Sequence, residues 1–341
     1  MAAPAGAVPP FFAGLLPEGR RLTALRGAVK TSADDELSLL LAVGGSTIGD
    51  VTVLPEGVDA TEPTPLVSGE DFSFADVLAE SGMVDRVGLP GMQEKASGAM
   101  ISLPVSLDGV SAIIKLDPPE YPDAVVNEDY FLRLARRLRI PVARAELIHD
   151  REGRAGLVVQ RFDRVLVDSE VRALAVEDAC KLLGRYPADQ YSLTSEQVST
   201  AAATSCPARA VAARACLAQF VFAWLTGNGD MHAKNLSALQ EADGEWRIVP
   251  AYDLPSTLPY GECSMALSLD GRRQALTRKA FWSFGTGLGL PQRAVERTLD
   301  DVLRATDPLL DDLRGGALPL NRNATQDLVR QLARRRQDLE E

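Results

Sequence analysis

Two side chains with complementary chemistry lie five residues apart, just after the longest apolar stretch of the chain. Asp230 supplies a carboxylate and Asn235 a neutral amide, with His232 and Lys234 between them. The spacing D-x-x-x-x-N is typical of loops that transfer a phosphoryl group. There the carboxylate orients an attacking hydroxyl and accepts its proton, while the amide oxygen binds magnesium without adding charge. The alternative is a turn rich in Asn and Asp that caps neighbouring elements.

A second acidic residue, Asp253, follows Asn235 by eighteen residues, within the sequence Ala251-Tyr252-Asp253-Leu254. The residues between them, 236–239 and 246–249, have the pattern of a hairpin. An aspartate that follows a strand at this place is the second magnesium ligand of kinases. The alternative is an N-cap before a turn, because a proline and a serine come next.

A glycine-bearing segment precedes the first predicted strand. Residues 88–98 have the sequence GLPGMQEKASG. The backbone N–H groups of such a loop can bind phosphates. The segment matches neither a Walker A sequence nor G-x-G-x-x-G, so an ordinary surface turn explains it equally well.

Lys115 lies in an apolar stretch, residues 112–116, that predicts a strand. A lysine in that position can bridge nucleotide phosphates and pair with an acid. Glu128, near the start of the next predicted helix, is the nearest partner, and Asp129 is the competing choice. The alternative is a strand lysine that faces solvent.

The segment 158–164, VVQRFDR, predicts a strand that runs into a charged connection. Its backbone could bind an adenine edge, with Phe162 lining the pocket; the alternative is a last strand that carries a surface Arg–Asp pair.

The order of these motifs along the chain indicates a function more strongly than any one of them. The motifs follow one another in the order found in a two-lobed kinase. That order is the glycine-bearing loop, the strand lysine, the acid on the helix, the charged connection, the loop with Asp and Asn, and the second Asp.

The elements that would position these residues change character along the chain. Strands at 99–105, 111–116, 145–150 and 157–162 surround a helix at 127–139, and the chain beyond residue 163 is mostly helical. We therefore predict an α+β, two-lobed, protein-kinase-like fold. Its parts are a disordered N-terminus (1–10), a β-rich N-lobe (11–165) and a helical C-lobe (166–341).

Composition narrows the class of protein. The 341 residues include 36 Lys+Arg against 47 Asp+Glu, a net charge of −11, which argues against direct coating of nucleic acid or membrane. Two histidines exclude a multi-histidine metal site, and four cysteines without a C-x-x-C pair favour reduced thiols. The longest apolar stretch, 210–226, is interrupted by Arg214 and Gln219, so we expect a soluble cytoplasmic protein with no membrane partner.

Four motifs together resemble a known family. NGDMHAKN (228–235), AYDL (251–254), LPGMQEK (89–95) and QRFDR (160–164) look like those of the HipA-type serine/threonine kinases of bacterial toxin–antitoxin modules. The resemblance spans roughly residues 10–335. It implies the HipA-like form of the kinase fold, with ATP and Mg2+ as cofactors.

The resemblance also implies roles for individual residues. Asp230 would be the catalytic base, and Asn235 and Asp253 would bind magnesium. His232 and Lys234 would line the phosphate end of the site. The complete set that the resemblance assigns to ATP is Gly91, Met92, Gln93, Glu94, Lys95, Lys115, Gln160, Phe162, His232, Lys234 and Tyr252.

Family members phosphorylate a serine or threonine of a translation component, typically an aminoacyl-tRNA synthetase, and growth stalls. A DNA-binding antitoxin restrains them, so DNA would be met only through that partner. Two alternatives stay open. One is a small-molecule kinase of the aminoglycoside or homoserine type, and the other is a non-catalytic module that binds an antitoxin.

Two departures from the family pattern carry further expectations. Many relatives have a serine in the glycine loop, where autophosphorylation ejects the loop, whereas Gly88 and Pro90 have no hydroxyl. The sequence PPFFAGLLPEG (9–19) resembles a segment that lies well inside the fused family members. This predicts a split, HipT-like form, in which a separate small protein supplies the missing N-terminal subdomain.

Overall fold

The computed structural model describes residues 8–59 except 33 and 46, then 72–80, 100–107, 110–167 and 170–341. The described residues form two compact units. The first, called the N-terminal unit below, comprises the described residues up to 126 together with 144–176. The second, called the C-terminal unit, comprises 127–143 and 177–341. This partition groups 127–143 with the C-terminal helices, whereas the predicted N-lobe of residues 11–165 included them. The predicted lobe boundary stays a prediction.

The described part of the chain contains both helices and short strands, which occur in groups along the sequence. The helices are α1 (Pro10–Ala13), α2 (Gly19–Val29), α3 (Glu36–Val43), α4 (Phe74–Glu80), α5 (Ala124–Ala135), α6 (Ala179–Leu182), α7 (Ser195–Ser205), α8 (Arg209–Thr226), α9 (Arg278–Gly287), α10 (Gln292–Ala305), α11 (Leu309–Arg314) and α12 (Arg322–Glu340). The strands are β1 (Ile101–Leu107), β2 (Val110–Leu116), β3 (Ala145–His149), β4 (Ala155–Gln160), β5 (Arg164–Val167), β6 (Glu170–Ala173), β7 (Val176–Asp178), β8 (Ser237–Gln240) and β9 (Trp246–Ile248).

An antiparallel sheet in the order β1-β2-β4-β3 organises the N-terminal unit. Residues alternate between its two faces, so one face collects Leu103, Ile114 and Leu116, which are buried against Phe74 of α4. Gly156 leaves room for this packing, because a Cβ there would lie 2.5 Å from Cζ of Phe74. Apolar burial on that face stabilises the sheet and fixes its register.

Helix α8 is the core of the C-terminal unit. Its apolar residues recur on every face, and side chains such as Leu217, Phe220 and Phe222 are fully buried. Helices α7, α9, α10 and α12 pack against it. A helix that is apolar all round must be surrounded by protein, which agrees with the predicted apolar helix at this position.

One local prediction needs correction. The expected disorder of residues 1–10 does not hold for 8–10, because Val8 is buried, its N–H donates to Oε2 of Glu36 at 2.9 Å, and α1 begins at Pro10.

A bilayer-spanning helix is absent from the described part of the chain, since each described helix is too short or too polar.

Candidate active site

The predicted catalytic loop begins where α8 ends. Gly227 adopts a left-handed conformation with φ of 73°, and its N–H donates to the carbonyl of Trp224 at 3.3 Å. A Cβ at this position would lie 2.3 Å from Cδ1 of Leu258. Glycine therefore ends the buried helix and turns the chain sharply into the loop.

Asn228 connects the loop to the segment that contains Asp253. Its Oδ1 accepts the backbone N–H of Asp230 at 2.9 Å, and its Nδ2 donates to the carbonyl of Asp253 at 3.3 Å. Asn228 is almost fully buried, so these bonds have no competition from water. One amide thus holds the catalytic-base candidate and a magnesium-ligand candidate in fixed relation.

Gly229 lies close to the backbone of a neighbouring segment. Its N–H donates to Oγ1 of Thr257 at 2.8 Å, and a Cβ there would lie 2.5 Å from the carbonyl oxygen of Ser264. The contact is with the backbone of Ser264, which could move away only at a cost in free energy. The loop is therefore built for a glycine at this position.

Asp230 is 4% exposed, and the hydroxyl of Tyr191 donates to its Oδ1 at 2.8 Å. The carboxylate thus has a fixed orientation, and its backbone is fixed by Asn228. A buried, oriented carboxylate is what a base for a hydroxyl group requires.

The residues after Asp230 form a short 3-10 turn, Ala233–Asn235, with reciprocal caps. The N–H of His232 donates to Oδ1 of Asn235 at 2.9 Å, and the N–H of Lys234 donates to Nδ1 of His232 at 3.2 Å. His232 therefore accepts at Nδ1, which leaves Nε2 as the protonated nitrogen of the neutral ring. In this arrangement His232 shapes the turn.

The side chains of Asn235 and Asp253 are in direct contact. Nδ2 of Asn235 donates to Oδ2 of Asp253 at 2.7 Å. Asp253 adopts a left-handed backbone with φ of 56°, a conformation that aspartate tolerates better than most non-glycine residues.

The oxygens of this pair suit magnesium. Carboxylate and amide oxygens are hard ligands, and Oδ1 of Asn235 has a second lone pair beyond the one that His232 occupies. The described residues contain no group of three or more His, Cys, Asp or Glu side chains that could hold a metal. A cation bound by Asn235 and Asp253 would then need further ligands from phosphate and water, which magnesium commonly uses.

Tyr252 lies within this network. Its hydroxyl donates to the carbonyl of Lys234 and lies 2.9 Å from Oγ of Ser237. These contacts join the loop to β8. Its predicted position beside adenine stays a prediction.

In the N-terminal unit, Lys115 lies in β2 opposite Ser102 of β1 and Leu157 of β4. The alternation of the strand places it on the face away from Ile114 and Phe74. Lys115 is partly buried, so it does not simply project into solvent as the alternative supposed.

Gln160 and Phe162 lie at the end of β4. Gln160 is opposite Ala112, so the pleat places it on the other face of the sheet from Lys115. Its N–H donates to the carbonyl of Arg144 at 2.8 Å, and Phe162 is partly buried. Their contact with adenine stays a prediction, and the side chain of Gln160 does not share a face with Lys115.

The charged residues beside Phe162 do not form the surface pair that the alternative supposed. Arg161 and Asp163 are buried, and their side chains are joined by two hydrogen bonds, Nε to Oδ1 at 2.9 Å and Nη2 to Oδ2 at 2.6 Å. Arg164 and the N–H of Gly49 also donate to Oδ2, each at 2.9 Å. The two arginines donate further to the carbonyl of Thr47, so this ion cluster fastens residues 47–49 to the end of β4.

Burial acts to raise the pKa of Asp163. The hydrogen bond and charge of Arg161, the charge of Arg164 and the bond from Gly49 outweigh it and hold this pKa below its usual range.

The two acids considered as partners of Lys115 differ. Asp129 forms an ion pair with Arg133 at 3.0 Å, whereas Glu128 is fully buried. The pairing of either acid with Lys115 stays a prediction. The glycine-bearing segment, with Gly88, Pro90 and the nucleotide candidates Gly91, Met92, Gln93, Glu94 and Lys95, lies outside the described residues.

Sequence reasoning missed the residues that hold the loop in place. Besides Tyr191, Asn228 and Thr257, the buried Asn127 of α5 exchanges two hydrogen bonds with the backbone of Ser256, at 2.8 and 3.0 Å. Asn127 thereby fixes the chain just after Asp253. A buried, non-capping Asn within a helix is the one signal that could have indicated it.

Comparison with known proteins decides the family. Residues 87–309 match the model of the HipA-like C-terminal domain, and residues 2–54 match that of the HipA N-terminal domain. The chain belongs to the HipA-like kinase family. The α+β, two-lobed HipA-like fold predicted from the sequence is confirmed.

The relatives of this HipA-like chain include proteins that cover most of its length. The candidate kinase Y4mE of Sinorhizobium fredii is 30% identical over 335 residues, which is 89% of this chain and 79% of that protein. The serine/threonine-protein kinase toxin HipA of Shewanella oneidensis is 28% identical over 326 residues, 86% of this chain and 74% of that protein. A solved complex of Shewanella oneidensis HipA, HipB and operator DNA superposes with a TM-score of 0.77 at 22% identity, covering 97% of this chain and 84% of that one.

The N-terminal match corrects one prediction. Residues 9–19 fall inside the segment that matches the HipA N-terminal domain, and its described part forms α1, α2 and α3. The split, HipT-like interpretation is therefore wrong, and so is the separate small protein it required.

Proposed function

We propose that this HipA-like chain is a serine/threonine protein kinase that uses ATP and Mg2+ and acts as the toxin of a toxin–antitoxin module. The observation that carries the proposal is one hydrogen-bonded network. It holds Asp230, Asn235 and Asp253 together through Asn228 at the end of a buried helix.

In this proposal Asp230 orients the acceptor hydroxyl and takes its proton as the hydroxyl oxygen bonds to the γ-phosphorus of ATP and the bond from that phosphorus to the leaving ADP breaks. Asn235 and Asp253 would hold Mg2+, which would neutralise charge on the transferring phosphoryl group. Asn228 holds the backbone of Asp230 relative to that of Asp253, and Asn127 holds the chain just after Asp253. Fixed groups of this kind lower the barrier because little reorganisation is needed during the reaction.

On the N-terminal unit we assign the nucleotide to the residues that the resemblance indicated. Lys115 would contact phosphates, and the backbone of Gln160 together with Phe162 would contact adenine. The resemblance also assigns phosphate contacts to residues 91–95, which lie outside the described residues, and to His232 and Lys234 of the C-terminal unit. The Arg161–Asp163–Arg164 cluster supports this assignment, because it makes the end of β4 rigid where adenine would bind.

The toxin role rests on the relatives. The Shewanella oneidensis kinase toxin HipA is one, and that protein has been solved with HipB and operator DNA. We propose that a DNA-binding antitoxin is the partner here too. The net charge of −11 favours contact with DNA through that partner. We further propose a translation component, an aminoacyl-tRNA synthetase, as the phosphorylated substrate.

Phosphoproteomics tests the activity and the substrate together. Cells that express the wild-type chain should accumulate a new phosphoserine or phosphothreonine on a synthetase and stop growing, whereas cells that express Asp230→Asn should do neither. Asp243→Asn, a change on the exposed turn between β8 and β9, serves as the matched control. Phosphosites on another protein would replace the synthetase, and identical phosphoproteomes for wild type and Asp230→Asn would refute the kinase assignment.

A further inference from the structure

Tyr191 lies outside the catalytic loop, between the 3-10 turn Pro187–Asp189 and α7. Its hydroxyl nevertheless donates to Oδ1 of Asp230 at 2.8 Å. A hydroxyl in that position makes the contact that an acceptor serine or threonine would make with a base. Either it prepares the carboxylate or it obstructs the place of the acceptor.

The surroundings of Tyr191 favour preparation. Its ring lies edge-on to that of His232, with centroids 5.0 Å apart and planes at 83°. The adjacent carbonyl of Gln190 accepts the N–H of Ala233 at 3.2 Å. Arg273 donates to the carbonyl of Tyr191 at 3.0 Å. The segment therefore contacts the loop in three places: the Tyr191 hydroxyl on Asp230, the Tyr191 ring on His232 and the Gln190 carbonyl on Ala233.

We propose that Tyr191 is a positioning residue for Asp230, an inference that rests on the kinase activity proposed above. A donor on Oδ1 fixes the torsion of the carboxylate, so that Oδ2 points in a single direction. Edge-to-face packing on His232 fixes the phenol in turn. Since His232 caps the turn that ends at Asn235, Tyr191 couples the base to the magnesium-ligand side of the loop.

The test substitutes Tyr191→Phe, which removes the hydroxyl and keeps the ring on His232. Purified full-length protein is supplied with labelled MgATP and dephosphorylated casein, and label in acid-precipitable protein is counted. This count includes any label on the kinase itself. We expect kcat to fall by about 10- to 100-fold, the effect of losing a hydrogen bond to a charged group, with KM for ATP changed less than about twofold.

The matched control is Tyr130→Phe. The hydroxyl of Tyr130 donates to Oδ2 of Asp312 at 3.0 Å, so this variant also loses a phenol bound to an aspartate, but away from the loop. It should keep the wild-type kcat. Tyr191→Phe should lower the melting temperature no more than Tyr130→Phe, which loses the same kind of bond. A large drop in kcat without loss of folding or ATP affinity is a result that a merely structural role would not give.

The remaining outcomes are distinct. A rise in kcat, or in kcat/KM for casein, would show that the phenol obstructs the acceptor and would overturn the proposal. A wild-type kcat in Tyr191→Phe would overturn it as well while leaving the kinase assignment intact. If wild type itself incorporates no label, the proposed function fails and this inference fails with it.

Discussion

The proposed catalytic loop of the C-terminal unit and the end of β4 in the N-terminal unit are fixed in different ways. The loop is held by neutral side chains bonded to backbone, as with Asn228, Thr257 and Asn127. The end of β4 is held by a buried carboxylate shared between two arginines. Neutral bonds set atomic positions at modest energetic cost, whereas a buried ion cluster is costly to break. Changes to the loop should therefore affect turnover, and changes to the cluster should affect stability.

The largest effect is expected from Asp163→Asn. This isosteric change leaves Arg161 and Arg164 without their shared counter-charge and should lower the free energy of unfolding by about 3–5 kcal/mol. Urea denaturation followed by circular dichroism measures it, and kcat well below the melting temperature should remain within about threefold of wild type. The exposed Asp243→Asn should leave the unfolding midpoint unchanged. If both variants unfold alike, the cluster does not stabilise the unit.

The stability difference between wild type and Asp163→Asn should depend on pH. The native pKa of Asp163 is depressed, chiefly because Arg161 outweighs the effect of burial, so the carboxylate stabilises the fold above its unfolded pKa of about 3.9. That contribution is lost as the pH falls through the native pKa. The difference in unfolding midpoint should be full at pH 6 and shrink below about pH 4. A difference that grows on acidification would contradict the assigned charges.

Asn228→Ala tests the other side of the comparison. It removes the bonds to Asp230 and Asp253, and the loss of about 1–3 kcal/mol should lower kcat by about 10- to 100-fold. Asn321→Ala is the matched control, since it removes an Asn bond to the N–H of Ala324 at the start of α12. The control should lose stability alone. Equal kcat values in both variants would mean that Asn228 is only structural.

Arg335→Lys should have the smallest effect. The buried guanidinium of Arg335 donates to the carbonyls of Trp224 and Cys263, and it lies 4.2 Å from the Trp224 ring centroid. Burial lowers its pKa to about 10, so it remains charged at neutral pH. Lysine keeps the charge and loses the planar fork, which should cost about 1–2 kcal/mol in thermal denaturation. The exposed Arg334→Lys should cost nothing, and a wild-type melting curve for Arg335→Lys would show that the fork is dispensable.

Local pattern predicted the parts of the molecule that short-range chemistry determines. Periodicity indicated the apolar stretch that forms α8, and turn residues indicated the hairpin before Asp253. The spacing of Asp230 and Asn235 is read directly from the sequence. The 2.7 Å contact between Asn235 and Asp253 could not be predicted in this way, because the two residues are eighteen apart.

Long-range side-chain contacts were not predictable from one sequence. Tyr191 is 39 residues from Asp230, Asn127 is 129 from Ser256, and Gly49 is 114 from Asp163. No periodicity relates such pairs, since tertiary packing alone creates them. The Arg161–Asp163 pair shows the same limit, because sequence gives its charges but not its burial.

The most direct test of the central claim is phosphoryl transfer by purified protein. Wild type, Asp230→Asn and Asp243→Asn are incubated with labelled MgATP and dephosphorylated casein, and their folding is checked by thermal denaturation. We expect wild type and Asp243→Asn to incorporate label, and Asp230→Asn to be at least about 1,000-fold slower with an unchanged melting temperature. Label incorporation by Asp230→Asn at the wild-type rate would contradict this expectation.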